Sequence, residues 1–137
     1  MKKLIFVYNG DSGLINGMMH YLHKRISPGT YPCQLCGIIF DGISMNTEWL
    51  SFVKSLGVES EFLHRDEYQE KYGKSQVTWP AVLLHDGPKL AEIVIAAGDF
   101  AVIPDLKTLQ ERVRSIVSRH FPTAPGARLS AQAGGAA

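Results

Sequence analysis

The chain has 137 residues, which is the size of one domain, because a second compact core would not fit into this length. Hydrophobic residues make up 45% and charged residues 20% of the chain, a globular composition that excludes a mostly disordered protein. The formal net charge is +1 and no basic block occurs, so nucleic acid is not expected as a partner.

No apolar stretch approaches the roughly 20 residues that a membrane helix requires, so we expect no membrane partner either. The apolar run at residues 4–8 is also shorter than a signal-peptide core of roughly 7 to 15 residues. We therefore expect a cytoplasmic protein. In that reducing compartment, the Cys-x-x-Cys spacing of Cys33 and Cys36 indicates redox or metal chemistry more than a structural disulfide.

The first predicted element is a strand at residues 4–8, where a continuous apolar run is followed by turn residues, as is typical of a central, buried strand. Apolar residues at i, i+4 and i+8 then predict a helix from Leu14. Asp11 or Ser12 is its expected N-cap, and the turn residues at 27–29 end it.

Both cysteines lie in a short apolar segment at residues 32–40, which fits a helix of two turns with proline at its start and Gly42 after it. Asn46 is the expected N-cap of a further helix, and Gly57 ends it. The predicted buried face of that helix consists of apolar side chains at helical spacing, namely Trp49, Phe52, Val53 and Leu56.

In the second half of the chain, a strand is predicted at residues 61–64, and a polar short helix or surface loop follows at 65–72. Two apolar runs at residues 81–84 and 90–97 flank the turn at 85–88, which is the pattern of a β-hairpin. Apolar spacing predicts a last helix from about Pro104.

The composition changes after residue 121, where Pro, Ala, Gly and Ser replace the large apolar residues. We therefore predict one folded domain at residues 1–121 and a disordered tail at residues 122–137. Within the domain, a strand, a crossover helix and a second strand require a parallel pair, and the hairpin adds an antiparallel pair. The predicted fold class is α/β, a mixed four-stranded sheet with helices on both faces.

This order of elements resembles the minimal thioredoxin-like fold, and the segment Thr78-Trp79-Pro80 strengthens the resemblance. In that fold a proline opens the third strand beside the active site, and its peptide bond is cis. The resemblance therefore implies a cis bond before Pro80, a form that X-Pro bonds adopt at low cost.

The loop after the first strand reads Tyr-Asn-Gly-Asp-Ser-Gly-Leu-Ile. It resembles the nucleophile loop of the DCC family of thiol-disulfide oxidoreductases, which reads Tyr-Asp-Gly-x-Cys-x-x-Cys. Tyr8 and Gly10 match, whereas Asn9, Ser12 and Ile15 stand in place of the family's Asp and its two cysteines. Disulfide exchange requires an attacking thiolate and a resolving thiol, so we do not expect the family's activity in this loop.

Three roles remain open for Cys33 and Cys36. The first is a relocated redox centre, with Cys33 in the first turn of a short helix as the nucleophile and Cys36 as the resolving thiol. Because the pair follows a helix, this interpretation places it at the end of the sheet away from Pro80. The second role is metal binding, and the third is simple packing of two buried thiols.

For the metal role, His20 and His23 form a His-x-x-His pair, and nine residues separate His23 from Cys33. With Cys33 and Cys36 they supply two imidazoles and two thiolates, the composition of a closed zinc site. His23 is nearer the end of the predicted helix and is the better ligand of the two. His85, in the hairpin turn, is an alternative fourth ligand.

A second polar cluster follows the second strand. His64, Arg65 and Asp66 are expected at the same end of the sheet as Ser12 and Pro80, where open α/β sheets bind ligands beyond the carboxyl ends of their strands. These residues are candidates for an anion or peptide site, with a solvated loop as the alternative.

From the sequence alone, the leading hypothesis is a thioredoxin-like protein that binds zinc at Cys33 and Cys36 and acts as a binding or scaffolding module. One alternative is a thiol-disulfide oxidoreductase that uses Cys33 and Cys36. Another is an interaction module for a peptide or an unknown protein partner. Whether the chain is an enzyme stays open at this point.

Overall fold

In the computed structural model, residues 2–10, 33–41, 44–87 and 91–127 are described. The helix expected from Leu14 lies outside these residues, and so does Ser12. The described elements are, in chain order, β1 (Lys2–Tyr8), α1 (Gln34–Ile39), β2 (Phe40–Asp41), β3 (Ser44–Met45), α2 (Thr47–Leu56), β4 (Ser60–His64), α3 (Arg65–Tyr72), β5 (Ala81–Asp86), β6 (Glu92–Ile95), a 3-10 helix (Ala97–Val102) and α4 (Leu106–His120).

Four of the strands form one mixed sheet in the order β4-β1-β5-β6. β1 is parallel to β4 and antiparallel to β5, and β5 is antiparallel to β6. The register places Tyr8 beside His64, and Val7 beside Ala81. The predicted α/β class with a mixed four-stranded sheet is confirmed, and β1 is an interior strand as expected.

The two faces of the sheet bury two separate cores, because successive side chains of a strand point to opposite faces. Leu4, Phe6 and Tyr8 lie in the larger core, which also contains buried side chains of α1, α2 and α4. Ile5 and Val7 lie in the smaller core, where Tyr68 of α3 covers them. Helices therefore pack on both faces, as predicted.

The helix ends follow from the capping residues. Asn46 Oδ1 accepts a hydrogen bond from the backbone N–H of Trp49 at 3.0 Å and starts α2, and Gly57 ends it in the left-handed conformation with φ 66°. Asp105 caps α4 in the same way through the N–H of Thr108, at 2.9 Å. Within the described parts of the chain, no helix combines the length and the apolar character needed to cross a bilayer.

Some short elements differ from the sequence prediction. β2 and β3 form a small antiparallel ribbon of two residues each, too short for any alternation of side chains to reveal it. The return strand of the hairpin is shorter than predicted, because the chain turns into the 3-10 helix at Ala97–Val102. Asp99 accepts a hydrogen bond from the backbone N–H of Ala96 and so fixes the start of that turn.

The folded region extends beyond residue 121, where the predicted disordered tail was to begin. The backbone N–H of Ala127 donates to the carbonyl of Ala124 at 3.1 Å, and the Ala127 side chain is buried in the larger core. Gly126 packs against the end of α2, where a Cβ atom would lie 2.7 Å from Leu56 Cδ2. The boundary at 121 is therefore corrected, and residues 128–137 lie outside the described part of the chain.

We expect Gly126→Ala to lower the free energy of unfolding by about 1 to 3 kcal/mol, because the added methyl group overpacks the contact with Leu56. Gly98→Ala is the matched control, since a Cβ there meets nothing within 4 Å. Urea denaturation of both variants measures the difference. Equal stabilities would show that residues 122–127 do not pack on α2.

Glu61 on β4 organises the charges near the amino end of β1. Its carboxylate accepts hydrogen bonds from Lys71 Nζ at 3.0 Å and from the Tyr72 hydroxyl at 3.1 Å, and it pairs with Lys3. Burial alone raises the pKa of this carboxyl group, but the hydrogen bonds from Lys3, Lys71 and Tyr72 outweigh burial and lower it. The ionised form therefore stabilises the fold.

Glu61→Gln should lower the free energy of unfolding at neutral pH by about 1 to 2 kcal/mol. Because the pKa of Glu61 is lower in the folded chain, its contribution is complete above the unfolded value of about 4.3 and disappears as the pH falls through the folded pKa. The variant and the wild type should therefore converge in stability on acidification. Exposed Glu59, changed to Gln, is the control, and a gap that is independent of pH would contradict this account.

Candidate functional site

Cys33 and Cys36 are joined by a disulfide bond. Cys33 is the N-cap residue of α1, and its sulfur accepts a hydrogen bond from the backbone N–H of Cys36 at 3.2 Å. Cys33 is fully buried, whereas Cys36 retains 7% of its exposed surface. The local sequence explains the geometry, because a Cys-x-x-Cys spacing at a helix start brings the cap residue and the third helical residue together.

The backbone N–H of Asn9 also donates to Cys33 Sγ, at 3.4 Å. Asn9 directly follows β1, so the disulfide lies at the carboxyl end of that strand. Because Val7 pairs with Ala81 in the antiparallel ladder, Pro80 flanks the same end of the sheet. The expectation that the cysteines lie away from Pro80 is therefore wrong. The contact spans 24 positions of the chain, so no local pattern reports it.

Pro80 is buried, and the Trp79–Pro80 peptide bond is cis, as the thioredoxin-like resemblance implied. The ring of Trp79 meets that of Tyr68 edge-on, with centroids 5.3 Å apart. Trp79 thus belongs to the smaller core, on the face of the sheet that α3 covers.

Asn9 connects the disulfide to the polar cluster that follows β4. Its side-chain Oδ1 accepts a hydrogen bond from Arg65 Nη1 at 3.3 Å, and the Arg65 backbone N–H donates to the carbonyl of Gly10 at 3.1 Å. One residue therefore holds the Cys33 sulfur with its backbone and a guanidinium with its side chain. Sequence reasoning missed this role of Asn9, because a backbone donor has no side-chain signature.

Of the ligand-binding residues predicted for this end of the sheet, His64 and Pro80 lie on opposite sides of the carboxyl end of β1, and Arg65 contacts Asn9 there. Ser12 lies outside the described residues, so its place in the cluster stays a prediction. The parallel pairing of β1 with β4 is what aligns these chain segments.

The aromatic ring of Tyr8 forms the floor of this end. It packs edge-on against Phe40 with centroids 5.5 Å apart, and against His64 with centroids 5.1 Å apart. Burial raises the pKa of the Tyr8 phenol, and the nearby Glu67 carboxylate raises it further. The phenol therefore stays neutral at physiological pH and supplies no charge to the site.

His64 and Glu67 form a pair at the start of α3. The backbone N–H of His64 donates to Glu67 Oε1 at 2.8 Å, and His64 Nδ1 lies 2.6 Å from the same oxygen. These two bonds, the backbone bond first, lower the pKa of Glu67. Because an ionised carboxylate only accepts hydrogen bonds, His64 Nδ1 is the donor in its contact with Glu67 Oε1.

Of the four predicted zinc ligands, the structure describes only Cys33 and Cys36. His20 and His23 lie outside the described residues, so their relation to Cys33 and Cys36 stays a prediction. Among the residues that are described, no group of three or more His, Cys, Asp or Glu side chains is arranged to hold a metal ion.

His85 as an alternative zinc ligand is wrong, because it lies at the other end of the sheet. It pairs with Lys3, whereas the disulfide contacts Asn9, and six strand positions correspond to about 20 Å. His85 Nε2 is instead 2.9 Å from the Tyr68 hydroxyl, and burial lowers the pKa of the imidazole. The predicted link between His85 and the cysteines failed because the turn of the hairpin and the carboxyl end of β1 are opposite ends.

A cavity of about 460 Å³ lies beside His85, between α3 and the β5–β6 hairpin. Its lining combines Tyr68 and Tyr72 with the apolar side chains of Leu83 and Ile93. This cavity is remote from the disulfide and shares no lining residue with the end of the sheet at Asn9.

Comparison of the chain with protein-family models, with curated proteins and with solved structures found no match.

We expect Arg65→Gln to raise the pKa of the Cys33 thiol in the reduced protein by about half a unit. Arg65 contacts Asn9, which in turn contacts the Cys33 sulfur, and a positive charge this near favours the thiolate. Thiolate absorbance, followed against pH in a Cys36→Ser background, isolates Cys33. Arg119→Gln, on the exposed side of α4, is the control for net charge. The same shift in both variants would show that Arg65 has no local effect.

Proposed function

We propose that the protein is a small thiol-disulfide oxidoreductase with a thioredoxin-like fold, and that Cys33 and Cys36 are its redox pair. The observation that carries the proposal is the position of the disulfide. It lies at the carboxyl end of β1, where the Asn9 backbone N–H contacts the Cys33 sulfur. Open α/β sheets bind their ligands at this end, beyond the carboxyl ends of the strands.

The arrangement of strands supports the fold assignment. β1 lies between a parallel neighbour and an antiparallel one, and the hairpin forms the opposite side of the sheet, which is similar to the minimal thioredoxin-like arrangement. The cis bond before Pro80 stands at the start of β5, at the same end of the sheet as the disulfide.

The resemblance of the first loop to the DCC family is compatible with this function, although the cysteines of this chain come from a different segment. Ser12 and Ile15 occupy the positions of that family's cysteines. Cys33 of this chain contacts Asn9 of the same loop from a different segment. We infer that the redox centre has kept its end of the sheet while a later segment supplies the thiols.

The zinc site expected from the sequence competes with this proposal for the same atoms. A zinc ligand must be a thiolate, and neither sulfur of a disulfide is one. The oxidised pair therefore fits redox chemistry better than metal binding. Peptide binding is compatible with it, since the partly exposed side chains of His64 and Arg65 at the same end would meet a protein substrate.

The proposal predicts a reversible two-electron equilibrium with a thiol buffer. When samples are alkylated in denaturant, oxidised protein should accept no iodoacetamide, and protein equilibrated with excess reduced glutathione should accept two equivalents, as counted by intact mass. Return to oxidised glutathione should restore the unreactive form. The Cys33→Ser, Cys36→Ser double variant should accept none in either buffer and serves as the control.

Two results would contradict the proposal. One is a pair that stays reduced in the most oxidising glutathione buffer or stays oxidised in the most reducing one. The other is a reduced protein that purifies with one equivalent of zinc, which the double variant loses, because the thiolates would then be metal ligands.

A further inference from the structure

We infer that thiol exchange takes place at Cys36 and that Cys33 is the leaving group, the reverse of the roles expected from the sequence. This inference rests on the proposed redox function and specifies which sulfur of the pair meets the substrate. Two features of the disulfide carry it, namely the burial of the two residues and the hydrogen bonds to one sulfur.

The first feature is access. A thiolate attacks a disulfide sulfur from the side opposite the bond that breaks, so the attacked sulfur must be reachable from outside the protein. Cys33 has no exposed surface, whereas Cys36 retains 7%. Of the two residues, only Cys36 has any exposed surface, so we infer that the incoming thiol approaches from its side.

The second feature is the stabilisation of the leaving thiolate. Cys33 Sγ accepts hydrogen bonds from two backbone N–H groups, those of Asn9 at 3.4 Å and Cys36 at 3.2 Å. Disulfide exchange is faster when the departing sulfur is the better leaving group. Both donors are already in place in the oxidised protein, so the charge that develops on Cys33 finds partners without rearrangement of the chain.

A small external thiol is the reductant, and two molecules of it reduce one disulfide. The thiolate of a small thiol attacks Cys36 Sγ, the bond between the two sulfurs breaks, and its electron pair stays on Cys33 Sγ. A mixed disulfide then joins Cys36 to the small thiol. A second thiol attacks the sulfur of the first, the two leave as their disulfide, and Cys33 and Cys36 take up two protons.

The test traps the intermediate in the wild-type protein. Oxidised protein is mixed with reduced glutathione and quenched within seconds with excess N-ethylmaleimide in denaturant near neutral pH, which reacts with the thiols that exchange has released and with the free glutathione. Fragment spectra of the peptide that contains both cysteines should show glutathione on Cys36 and maleimide on Cys33.

Two single variants give an independent measurement. In Cys33→Ser, the remaining Cys36 should form a mixed disulfide with oxidised glutathione at least about tenfold faster than Cys33 does in Cys36→Ser. Circular dichroism checks that both variants fold, and the wild-type trapping result stands alone if one does not.

The outcomes separate this inference from the function on which it rests. Glutathione on Cys33 in the trapped wild type, or equal or reversed rates in the single variants, would overturn the assignment while the pair remained redox active. Failure of glutathione to reduce the wild-type disulfide at any concentration would overturn the proposed function itself, and the assignment with it.

Discussion

Burial of β1 on both faces is the constraint on which the rest of the structure depends. The four residues Leu4, Ile5, Phe6 and Val7 have no exposed surface, because one core lies on each side of the strand and a neighbour pairs with each edge. Polar chemistry is thereby confined to the two ends of the strand. The amino end holds the charges around Glu61, and the carboxyl end holds the disulfide.

Much of this fold could be predicted because its signals are local. An apolar run bounded by turn residues indicated β1. Asn46 and Gly57 indicated the two ends of α2, because a capping residue acts on residues only a few positions away. The hairpin was visible in two apolar runs around a turn. Even the cis bond before Pro80 was implied by a three-residue resemblance.

The site could not be predicted to the same degree, because its contacts join distant segments. Cys33 reaches Asn9 across 24 positions, and a pattern of neighbouring residues carries no information about such a contact. The prediction of a disordered tail directly after Phe121 was wrong for a different reason. Small residues there resemble a disordered tail in composition, yet Gly126 needs its lack of a side chain to approach Leu56 closely. Small residues thus served close packing in a place where composition indicated disorder.

The environment of the Cys33 sulfur is built from main-chain groups. Both donors are peptide N–H groups, and every amino acid except proline supplies one. Substitution at position 9 can therefore change the side chain that meets Arg65 while the sulfur keeps its donor. In this arrangement the path of the backbone fixes both hydrogen bonds to the sulfur, and a change of the neighbouring side chains leaves them in place.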